Sequence, residues 1–589
     1  MTDYEEIDSR TFKVNAEGER LLLANFTARI TRETRLVDGV NSETYLTLTG
    51  FAANPKNVKQ PVPLPEVEIP ASQFAGMQWV MNAWGVRAVI QPGSGVKDDL
   101  RTAIQMQSSP TTKTIYRAIG WHMAEGQRAY LHAGGAITAK GNDRTVTVRL
   151  PVELSRYNLA TDKNAKDGFL ASVFLAGIMP MSVGWTLWAA TYAPLFGPVD
   201  FAVHLTGRSG TFKSELVSLF QSHYGDNMDA RHLPGSWSST PNALEAQAFF
   251  AANAIFVVDD FVPTGTSWQV RAYQTAADKL IRAQGNQAGR ARLTDSSGLQ
   301  QTYYPRGLIL STGEDTPEGH SVRARMMICE LSPGDIRPQD LTKAQESRHL
   351  LPAAVAELVR CLAGKNIDLQ RRQDQLRNEH IEIGHTRTPP MMGRLIATGE
   401  AVLTWAGNKG WITKKDAQEL AQLMADSILL LGKQQARYIE QADPVEIFFG
   451  GLRQAMNSGL AHLRTINGGI PRKATTLGWT NEMGNGDIKT YKSHGPCVGW
   501  IDWDEDTLFL ECNIGHALIK KLVGQELTLT KQTLFKRMKD AGLLVRTDEA
   551  RQRNTIRVTA ENHPRQVLAL AASTTLEQAE VPADEEIPD

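Results

Sequence analysis

Leu205-Thr-Gly-Arg-Ser-Gly-Thr-Phe-Lys-Ser214 is the stretch that decides the fold of this chain. It follows an apolar run that starts at Phe201 and precedes a helical run from Glu215 to Phe220, which is the strand–loop–helix context that a phosphate-binding loop requires. Lys213 is predicted to reach the terminal phosphates, and Ser214 to bind Mg²⁺. The residues predicted to surround the phosphates with backbone N–H groups are Gly207, Arg208, Ser209, Gly210, Thr211 and Phe212.

The loop departs from the usual pattern at one position. The residue before Lys213 is ordinarily glycine, and here it is Phe212. A phenylalanine can hardly adopt a positive φ without strain, so the sequence predicts a loop that is slightly altered at this point.

Two carboxylates end the next apolar run, Ala254-Ile-Phe-Val-Val-Asp259-Asp260. In a parallel sheet this end lies beside the phosphate loop. Asp259 is therefore predicted to hold the Mg²⁺ shell, and Asp260 to orient and deprotonate the attacking water. A buried strand with a solvated acidic end would explain the acids alone, but not their combination with the loop. Together the motifs predict hydrolysis of ATP with Mg²⁺.

Polar and basic residues end or precede two further strands. Ser311 and Thr312 follow Leu308-Ile-Leu and could sense the γ-phosphate, or they could simply cap the strand end. Arg323 and Arg325 come just before the apolar strand that starts at Met326. In ring ATPases an arginine at this edge reaches the nucleotide of the neighbouring subunit, although an arginine beside a strand is often only a surface residue.

Length and spacing indicate an α/β, multidomain protein, because 589 residues exceed what one hydrophobic core can support. Short alternating runs such as Tyr45–Gly50 and Thr145–Leu150 predict a strand-rich N-terminal domain with one helix around Ser72–Trp84. The predicted division is an N-terminal domain (1–150), a P-loop ATPase domain with a parallel sheet (151–345), a helical lid and linker (346–480), a winged-helix domain (481–570) and a disordered acidic tail (571–589).

Composition restricts the partners and the compartment. The net charge is −1, from 63 basic and 64 acidic residues, so any contact with nucleic acid must be local. His122 and His132 lack a third metal ligand nearby and are predicted to be structural. The four cysteines have neither zinc-site nor disulfide spacing, and together with the absence of a signal peptide they predict a cytoplasmic protein. These cysteines are Cys329, Cys361, Cys497 and Cys512.

The segment from Gly168 to Val199 contains no charged residue and is long enough to span a bilayer. It also contains Pro180, Pro194 and Pro198, and it leads directly into the strand before the loop. A buried helical pair is therefore predicted, and no membrane contact. A membrane-anchored NTPase is the alternative.

The C-terminal segment has the outline of a winged helix. Thr530 can cap a helix whose apolar face carries Leu534, Phe535, Met538 and Ala541. Two predicted strands follow, Leu543–Arg546 and Thr555–Val558, and form a hairpin. The basic residues predicted to contact duplex DNA are Lys536, Arg537 and Lys539 on the helix and Arg551 and Arg553 at the hairpin tip. Winged helices also bind proteins.

The order of these motifs resembles the MCM-like AAA+ helicases of mobile genetic elements and phages. The resemblance covers roughly residues 185 to 345, from Pro194 through the loop, the stretch Trp237–Glu245, the acid pair, Arg282–Arg292, Ser311–Glu314 and Arg323-Ala-Arg325. It implies an AAA+ sheet and a hexameric ring that unwinds DNA during replication of the element, with a replication initiator or a primase as a possible partner. It also favours Arg325 over Arg323 as the arginine finger, and Thr312 as the sensor.

An insertion between the acid pair and Ser311 reads as a hairpin. Two short strands, near Ala291–Thr294 and Gln300–Tyr304, flank an Asp-Ser-Ser-Gly turn. Related motors project such a hairpin into the central channel, where Arg290 and Arg292 could grip single-stranded DNA. A solvated loop is the alternative for the insertion. The alternative for the whole chain is an AAA+ ATPase that remodels or assembles protein complexes and docks them through the winged helix.

Overall fold

A computed structural model gives the fold for residues 3–576, except 58, 125, 226, 290–291, 294–298, 301, 366, 484–488, 525–526 and 528. The side chains of 292–293, 299–300, 482–483 and 489 also lie outside the described part of the chain. The chain divides into two compact units: Met1–Thr316, Arg325–Glu382 and Pro389–Leu431 form the larger, and Pro317–Ala324, Ile383–Thr388 and Gly432–Asp589 the smaller. The predicted five-part division is finer than these units and stays a prediction.

Alternating apolar residues form three sheets near the N-terminus, the largest of which has five strands. Their orders are β1–β2–β3, β12–β7–β4–β5–β6 and β11–β10–β9–β8. The strands are β1 (Asp3–Ile7), β2 (Arg10–Val14), β3 (Arg20–Ala24), β4 (Phe26–Val37), β5 (Ser42–Ala52), β6 (Val62–Pro70), β7 (Thr111–Tyr116), β8 (Gly120–Ala124), β9 (Gln127–His132), β10 (Gly135–Thr138), β11 (Gly141–Asp143) and β12 (Thr147–Val148). The predicted strand Thr145–Leu150 is thus only two residues long.

The same region contains three helices, where the sequence predicted one. They are α1 (Ala71–Phe74), α2 (Gln78–Trp84) and α3 (Val96–Met106). The predicted helix from Ser72 to Trp84 is interrupted because Met77 adopts a left-handed conformation with φ of 55°. The interruption lets Trp84 pack edge-on against Phe26 in the core of the large sheet, with ring centroids 5.4 Å apart.

The predicted alternation of strands and helices in the middle of the chain is confirmed. The principal sheet is parallel with the order β14–β15–β18–β13–β19. Its elements and their neighbours are α4 (Ala165–Gly177), α5 (Met181–Tyr192), β13 (Ala202–Gly207), α6 (Lys213–Gln221), β14 (Gly235–Ser236), α7 (Pro241–Phe250), β15 (Ile255–Phe261), α8 (Ser267–Asn286), β16 (Arg292–Leu293), β17 (Leu299–Gln300), β18 (Leu308–Gly313), α9 (His320–Arg323) and β19 (Met326–Leu331).

Helices α4 and α5 form the predicted helical pair, and every residue of α5 from Val183 to Tyr192 is buried. A polar cluster lies inside it: the Ser172 hydroxyl hydrogen bonds with Nε2 of His223 at 2.7 Å and accepts Nε1–H of Trp188 at 2.9 Å. Burial lowers the pKa of His223 to about 4, so this imidazole is neutral at pH 7.

Within the described ranges, no helix has the length and apolar character needed to cross a membrane.

Five helices follow the principal sheet. They are α10 (Pro338–Glu346), α11 (Leu351–Gly364), α12 (Gln370–Glu379), α13 (Thr388–Asn408) and α14 (Lys414–Glu440). Helix α11 packs on α4, where a Cβ at Gly168 would lie 2.4 Å from the Leu350 carbonyl oxygen. The close approach of the two backbones explains the glycine at this position.

The smaller unit contains a sheet of order β20–β23–β24–β27–β25, and β26 also pairs with β27. Helices pack on one face around Phe448, Leu452 and Leu534. The elements are α15 (Pro444–Asn457), β20 (His462–Thr465), β21 (Trp479–Met483), β22 (Lys489–Ser493), β23 (Cys497–Asp502), β24 (Thr507–Glu511), α16 (Ile514–Val523), α17 (Lys531–Asp540), β25 (Leu544–Arg546), β26 (Ile556–Ala560), β27 (His563–Ala571) and α18 (Ala572–Leu576).

Two details of the predicted C-terminal outline are wrong. Helix α17 has Thr530 as its N-cap, but Ala541 is exposed instead of lying on the apolar face. Strands β25 and β26 do not form a hairpin with each other, because both pair with β27. The segment between β25 and β26 contains a 3-10 turn, Glu549–Arg551, closed by an isolated bridge between Asp548 and Arg553. Apolar residues of β27 such as Leu568 and Leu570 are fully buried, as expected for a strand that pairs with β24, β25 and β26.

Candidate nucleotide-binding site

The loop between β13 and α6 lies where the carboxyl ends of the parallel strands meet. Gly207 ends β13, and a Cβ there would lie 2.5 Å from the carbonyl oxygen of Leu331 on the neighbouring strand β19. Gly210 has a φ of 85°, which favours glycine. These two positions allow the backbone to turn tightly, as a phosphate-binding loop requires.

Phe212 occupies the left-handed region with φ of 62° and ψ of 20°, directly before the first residue of α6. The sequence predicted that a phenylalanine would resist this conformation and alter the loop, but the loop keeps a positive φ at this position. The Phe212 carbonyl oxygen accepts the N–H of Leu216 at 2.9 Å, so the residue starts the helix. Its side chain is 38% exposed, at the surface of the loop.

The conformation of Phe212 gives a first test. We expect Phe212→Asn and Phe212→Gly to retain the fold and nucleotide affinity, because Asn and Gly tolerate a positive φ. Phe212→Val is expected to lower the free energy of unfolding by about 1–2 kcal/mol relative to Phe212→Asn, since a β-branched residue is disfavoured there. Urea unfolding of the three variants measures the difference, and equal stability of the Val and Asn variants would contradict the left-handed assignment.

The amino group of Lys213 lies inside the curve of the loop. Its Nζ donates hydrogen bonds to the carbonyl oxygens of Gly207 at 2.7 Å and Arg208 at 2.9 Å. Burial lowers the pKa of Lys213, and the carboxylates of Glu314, Asp259 and Asp260 oppose that shift. The lysine is therefore surrounded by negative charge on one side and by the loop on the other, which is where an ammonium group can neutralise phosphate oxygens.

The structure brings Ser214 and Asp259, the two predicted metal ligands, within hydrogen-bond distance of each other. The Ser214 hydroxyl donates to Oδ1 of Asp259 at 3.0 Å. Mg²⁺ binds oxygen at about 2.0–2.1 Å in octahedral geometry, so adjacent ligands lie about 3.0 Å apart. The two oxygens therefore fit neighbouring positions on one Mg²⁺ ion. Thr312 also donates its hydroxyl hydrogen to the same carboxylate oxygen, which holds Asp259 in place.

Asp260 differs in setting from Asp259. Its backbone has a φ of 69°, and the pairing of β15 with β18 shifts register between Val258 and Phe261. The Asp260 N–H donates to the hydroxyl oxygen of Thr312 at 3.1 Å, and the side chain is exposed at the sheet edge. An exposed carboxylate next to the metal ligand can accept a proton from water.

Ser311, one of the two predicted sensors, is completely buried behind the site. Its hydroxyl hydrogen bonds with Nδ1 of His204 at 3.0 Å and accepts Nε1–H of Trp237 at 2.9 Å. The backbone N–H of Trp237 also donates to the carbonyl oxygen of Asp259 at 3.0 Å. Ser311 therefore supports the strand ends, whereas Thr312 contacts both acids. Sequence reasoning missed His204, for which a lone histidine inside an apolar strand was the available signal. It named Trp237 only in the stretch that carries the resemblance and gave it no role at the site.

Arg325 lies at the opposite end of the sheet from the loop. The Ala202 N–H donates to its carbonyl oxygen at 2.9 Å, whereas Gly207, at the other end of β13, pairs with Leu331. A strand of this length spans about 20 Å. The Arg325 side chain packs over Gly285 and donates to Oδ1 of Asn286 at 3.1 Å. Within one chain, Arg325 does not reach the nucleotide loop.

Arg323, the other finger candidate, ends α9 in the smaller unit. Its Nε donates to the carbonyl oxygen of Pro317 at 3.0 Å, and a guanidinium nitrogen donates to that of Tyr438 at 3.2 Å. These contacts give Arg323 a structural role in that unit.

The predicted insertion hairpin is present in its described part. Strands β16 and β17 are antiparallel, with Arg292 opposite Gln300. Arg290, the turn and the Arg292 side chain lie outside the described residues. Tyr303, which follows the hairpin, packs against Phe249 of α7 at 5.1 Å between ring centroids.

The predicted basic residues of the C-terminal segment are exposed. Lys536, Arg537 and Lys539 lie on the solvent side of α17, and Arg551 and Arg553 lie in the segment between β25 and β26. Arg551 lies 3.8 Å from a carboxylate oxygen of Asp548. Sequence reasoning missed two further exposed cations on the β26–β27 hairpin, Arg557 and Arg565.

The fold and the loop define an α/β domain with a phosphate-loop geometry at the carboxyl edge of a parallel sheet. No protein-family model matches the chain, and no curated protein matches it. A solved structure described as "SCCmec type IV Cch - active helicase" has a similar fold, with a TM-score of 0.50 and 12% identity over 97% of this chain and 98% of that one.

A second solved structure, described as "The A form apo structure of NrS-1 C terminal region-CTR", matches at 12% identity over 78% of this chain and 96% of that one. Its TM-score of 0.24 is too low to support an argument. At these identities the comparisons concern the fold alone.

Proposed function

We propose that this protein is an ATP-dependent DNA helicase or translocase that acts as a homohexameric ring in the cytoplasm, in the replication of a mobile element or phage. The observation that carries the proposal is the 3.0 Å approach of the Ser214 hydroxyl to Asp259, beside an amino group held within the loop. The similarity in fold to a protein described as an active helicase also supports it.

Each residue of the site has one role in the proposed hydrolysis of ATP. Lys213 neutralises charge on the terminal phosphates, and Ser214 and Asp259 hold Mg²⁺. The metal, when bound, offsets negative charge on the phosphate oxygens. Asp260 accepts the proton of the attacking water, and Thr312 keeps the two acids in register because its hydroxyl contacts both.

Arg325 completes the site from a neighbouring subunit in this proposal, because it lies at the far end of its own sheet. A head-to-tail ring places such an edge against the nucleotide of the next copy. The guanidinium would then stabilise charge that develops in the transition state.

The exposed cations of the smaller unit favour DNA as the substrate of the motor. Strand order β24–β27–β25, with α16 and α17 between β24 and β25, supports a winged helix in which α17 is the recognition helix. Lys536, Arg537 and Lys539 supply its phosphate contacts, and Arg551 and Arg553 extend them from the basic segment between β25 and β26.

The test is ATP turnover and unwinding of a forked duplex, with and without single-stranded DNA. We expect DNA to stimulate hydrolysis in the wild type, and Arg292→Ala to abolish the stimulation while leaving the basal rate within about twofold, because the hairpin is remote from the acids. Lys279→Ala, a basic residue of α8 outside the hairpin, is the control. An ATPase that ignores DNA would favour a protein-remodelling AAA+ enzyme that docks its clients through the winged helix.

A further inference from the structure

A polar groove of about 650 Å³ lies in the N-terminal part of the larger unit, away from the nucleotide loop. The turn between β4 and β5, strand β7, the start of β8 and the stretch 145–147 enclose it. Hydroxyl-bearing residues supply much of its wall: Ser42, Thr112, Thr114, Thr145 and Thr147. Hydroxyl groups of this kind commonly donate hydrogen bonds to phosphate oxygens.

The charge of the groove is positive. Arg35 and Lys113 are exposed at its wall, and no carboxylate of the described residues lines it. Neither cation forms an ion pair with another described residue. Asp38 lies in the turn, and its Oδ1 accepts hydrogen bonds from the backbone N–H groups of Val40 and Asn41. The groove therefore offers two cations that the fold does not neutralise.

A second observation supports the positive field. His122 lies on the floor of the groove, where burial, Arg306 and Arg35 lower its pKa. The imidazole is therefore neutral at pH 7, and its ring packs edge-on against Tyr116 with centroids 4.8 Å apart. The rings of His122 and Tyr116 therefore form an uncharged floor. The positive charges that an anion meets in the groove are those of Arg35 and Lys113.

The groove is also connected to the insertion hairpin. Arg306, six positions after β17, donates from Nε to the carbonyl oxygen of Phe249 and from a guanidinium nitrogen to that of Asp38, both at 2.7 Å. Its guanidinium also stacks on the Phe249 ring at 3.8 Å. Asp38 and Gly39 belong to the turn that closes the groove, so one half-buried arginine joins the groove to the segment that leads from the hairpin.

We propose that this groove binds a single-stranded polynucleotide through its phosphates. A groove of this volume admits a short stretch of an extended strand, and its hydroxyl groups and two cations match the phosphate backbone of such a strand. The inference deepens the proposed function by giving the N-terminal region a grip on the strand in addition to that of the hairpin. Its test, however, does not require ATP hydrolysis.

The experiment compares the full-length protein with the double variant Arg35→Gln/Lys113→Gln, using fluorescent poly(dT) and poly(U) oligonucleotides without nucleotide. Loss of two phosphate contacts is expected to reduce the slope of log affinity against log salt by about 1.4, which is about 25-fold in affinity at 0.1 M salt. The control is Lys56→Gln/Lys59→Gln, which removes two exposed cations outside the groove. It is expected to leave slope and affinity unchanged.

The outcomes separate this inference from the helicase proposal. Basal ATP turnover of the double variant reports on its folding and is expected to match the wild type. If the chain hydrolyses no ATP but the double variant still binds strands more weakly than the control, the groove assignment stands and the motor proposal fails. Three results would overturn the groove assignment. The first is equal affinity of the two double variants for the oligonucleotides. The others are an equal loss of affinity for duplex DNA in the groove variant, and a loss of affinity for a polyglutamate peptide without a loss for the oligonucleotides. A larger loss for poly(dT) than for poly(U) identifies DNA as the ligand, and the reverse identifies RNA.

Discussion

Replacing Arg325 by alanine is expected to slow ATP turnover roughly 10³- to 10⁵-fold, the range over which arginine fingers act in other systems. The reason is geometric. Arg325 immediately precedes β19, at the end of the sheet opposite the phosphate loop, so its guanidinium can reach a nucleotide only when another copy presents one. Turnover is measured at a protein concentration at which the oligomer is intact, with saturating ATP and Mg²⁺.

Mixing two impaired variants distinguishes an Arg325 that acts on the neighbouring subunit from an Arg325 whose loss only disturbs its own subunit. Lys213→Ala and Arg325→Ala should each turn over ATP far more slowly than the wild type, but a 1:1 mixture restores both groups at roughly one quarter of the interfaces in a head-to-tail ring. We expect a corresponding fraction of wild-type activity to return. Asn286→Ala, which removes the hydrogen-bond acceptor of Arg325, is the control for local packing and should retain most activity. A mixture no more active than its components would refute action between subunits.

Replacing Lys213 by alanine is expected to reduce ATP turnover by roughly 10²–10³-fold, as does loss of a preorganised charge-stabilising donor elsewhere. Its Nζ already lies among the carbonyl oxygens of the loop, so little reorganisation is needed to meet phosphate. Because burial lowers its pKa, the charge of Lys213 is lost at a lower pH than that of an exposed lysine. Nucleotide affinity should therefore fall as the pH rises, and the decline should shift to higher pH in Lys213→Arg.

The control for this prediction is Lys343→Ala, which removes an exposed lysine of α10 on the same unit. Its turnover should equal that of the wild type. Equal turnover of Lys213→Ala and the wild type would remove the assignment of the loop. Binding of a fluorescent ATP analogue to each variant separates a loss of affinity from a loss of catalysis.

The sequence predicted the strand–loop–helix and the acid pair because both are local: each motif lies within about ten residues and carries its own hydrophobic and glycine signals. It did not predict the support behind them. His204, Trp237 and Ser311 meet through hydrogen bonds that join residues 107 and 74 positions apart, and no local pattern encodes such contacts.

The errors near the two ends of the chain have a similar cause. Strand β25 pairs with β27 because buried residues of β27 need neighbours on both sides, and that demand arises from the whole sheet. The break at Met77 lies between Phe74 and Trp79, whose rings stack with centroids 6.0 Å apart, and a continuous amphipathic pattern does not reveal it. Phe212 shows the opposite error: a valid expectation about φ was outweighed by the geometry that the loop requires.

The burial of α5 from Val183 to Tyr192 restricts how this protein can be dissected. A shortened polypeptide that starts at Phe201 would discard the helix that packs on β19 and α6, and would leave those apolar surfaces bare to water. Tyr157 extends the requirement, because its hydroxyl group donates to the carbonyl oxygen of Ile255 at 2.8 Å. A recombinant fragment trimmed to the principal sheet and the loop is expected to aggregate, and only fragments that begin upstream of Tyr157 are expected to be recovered in soluble form.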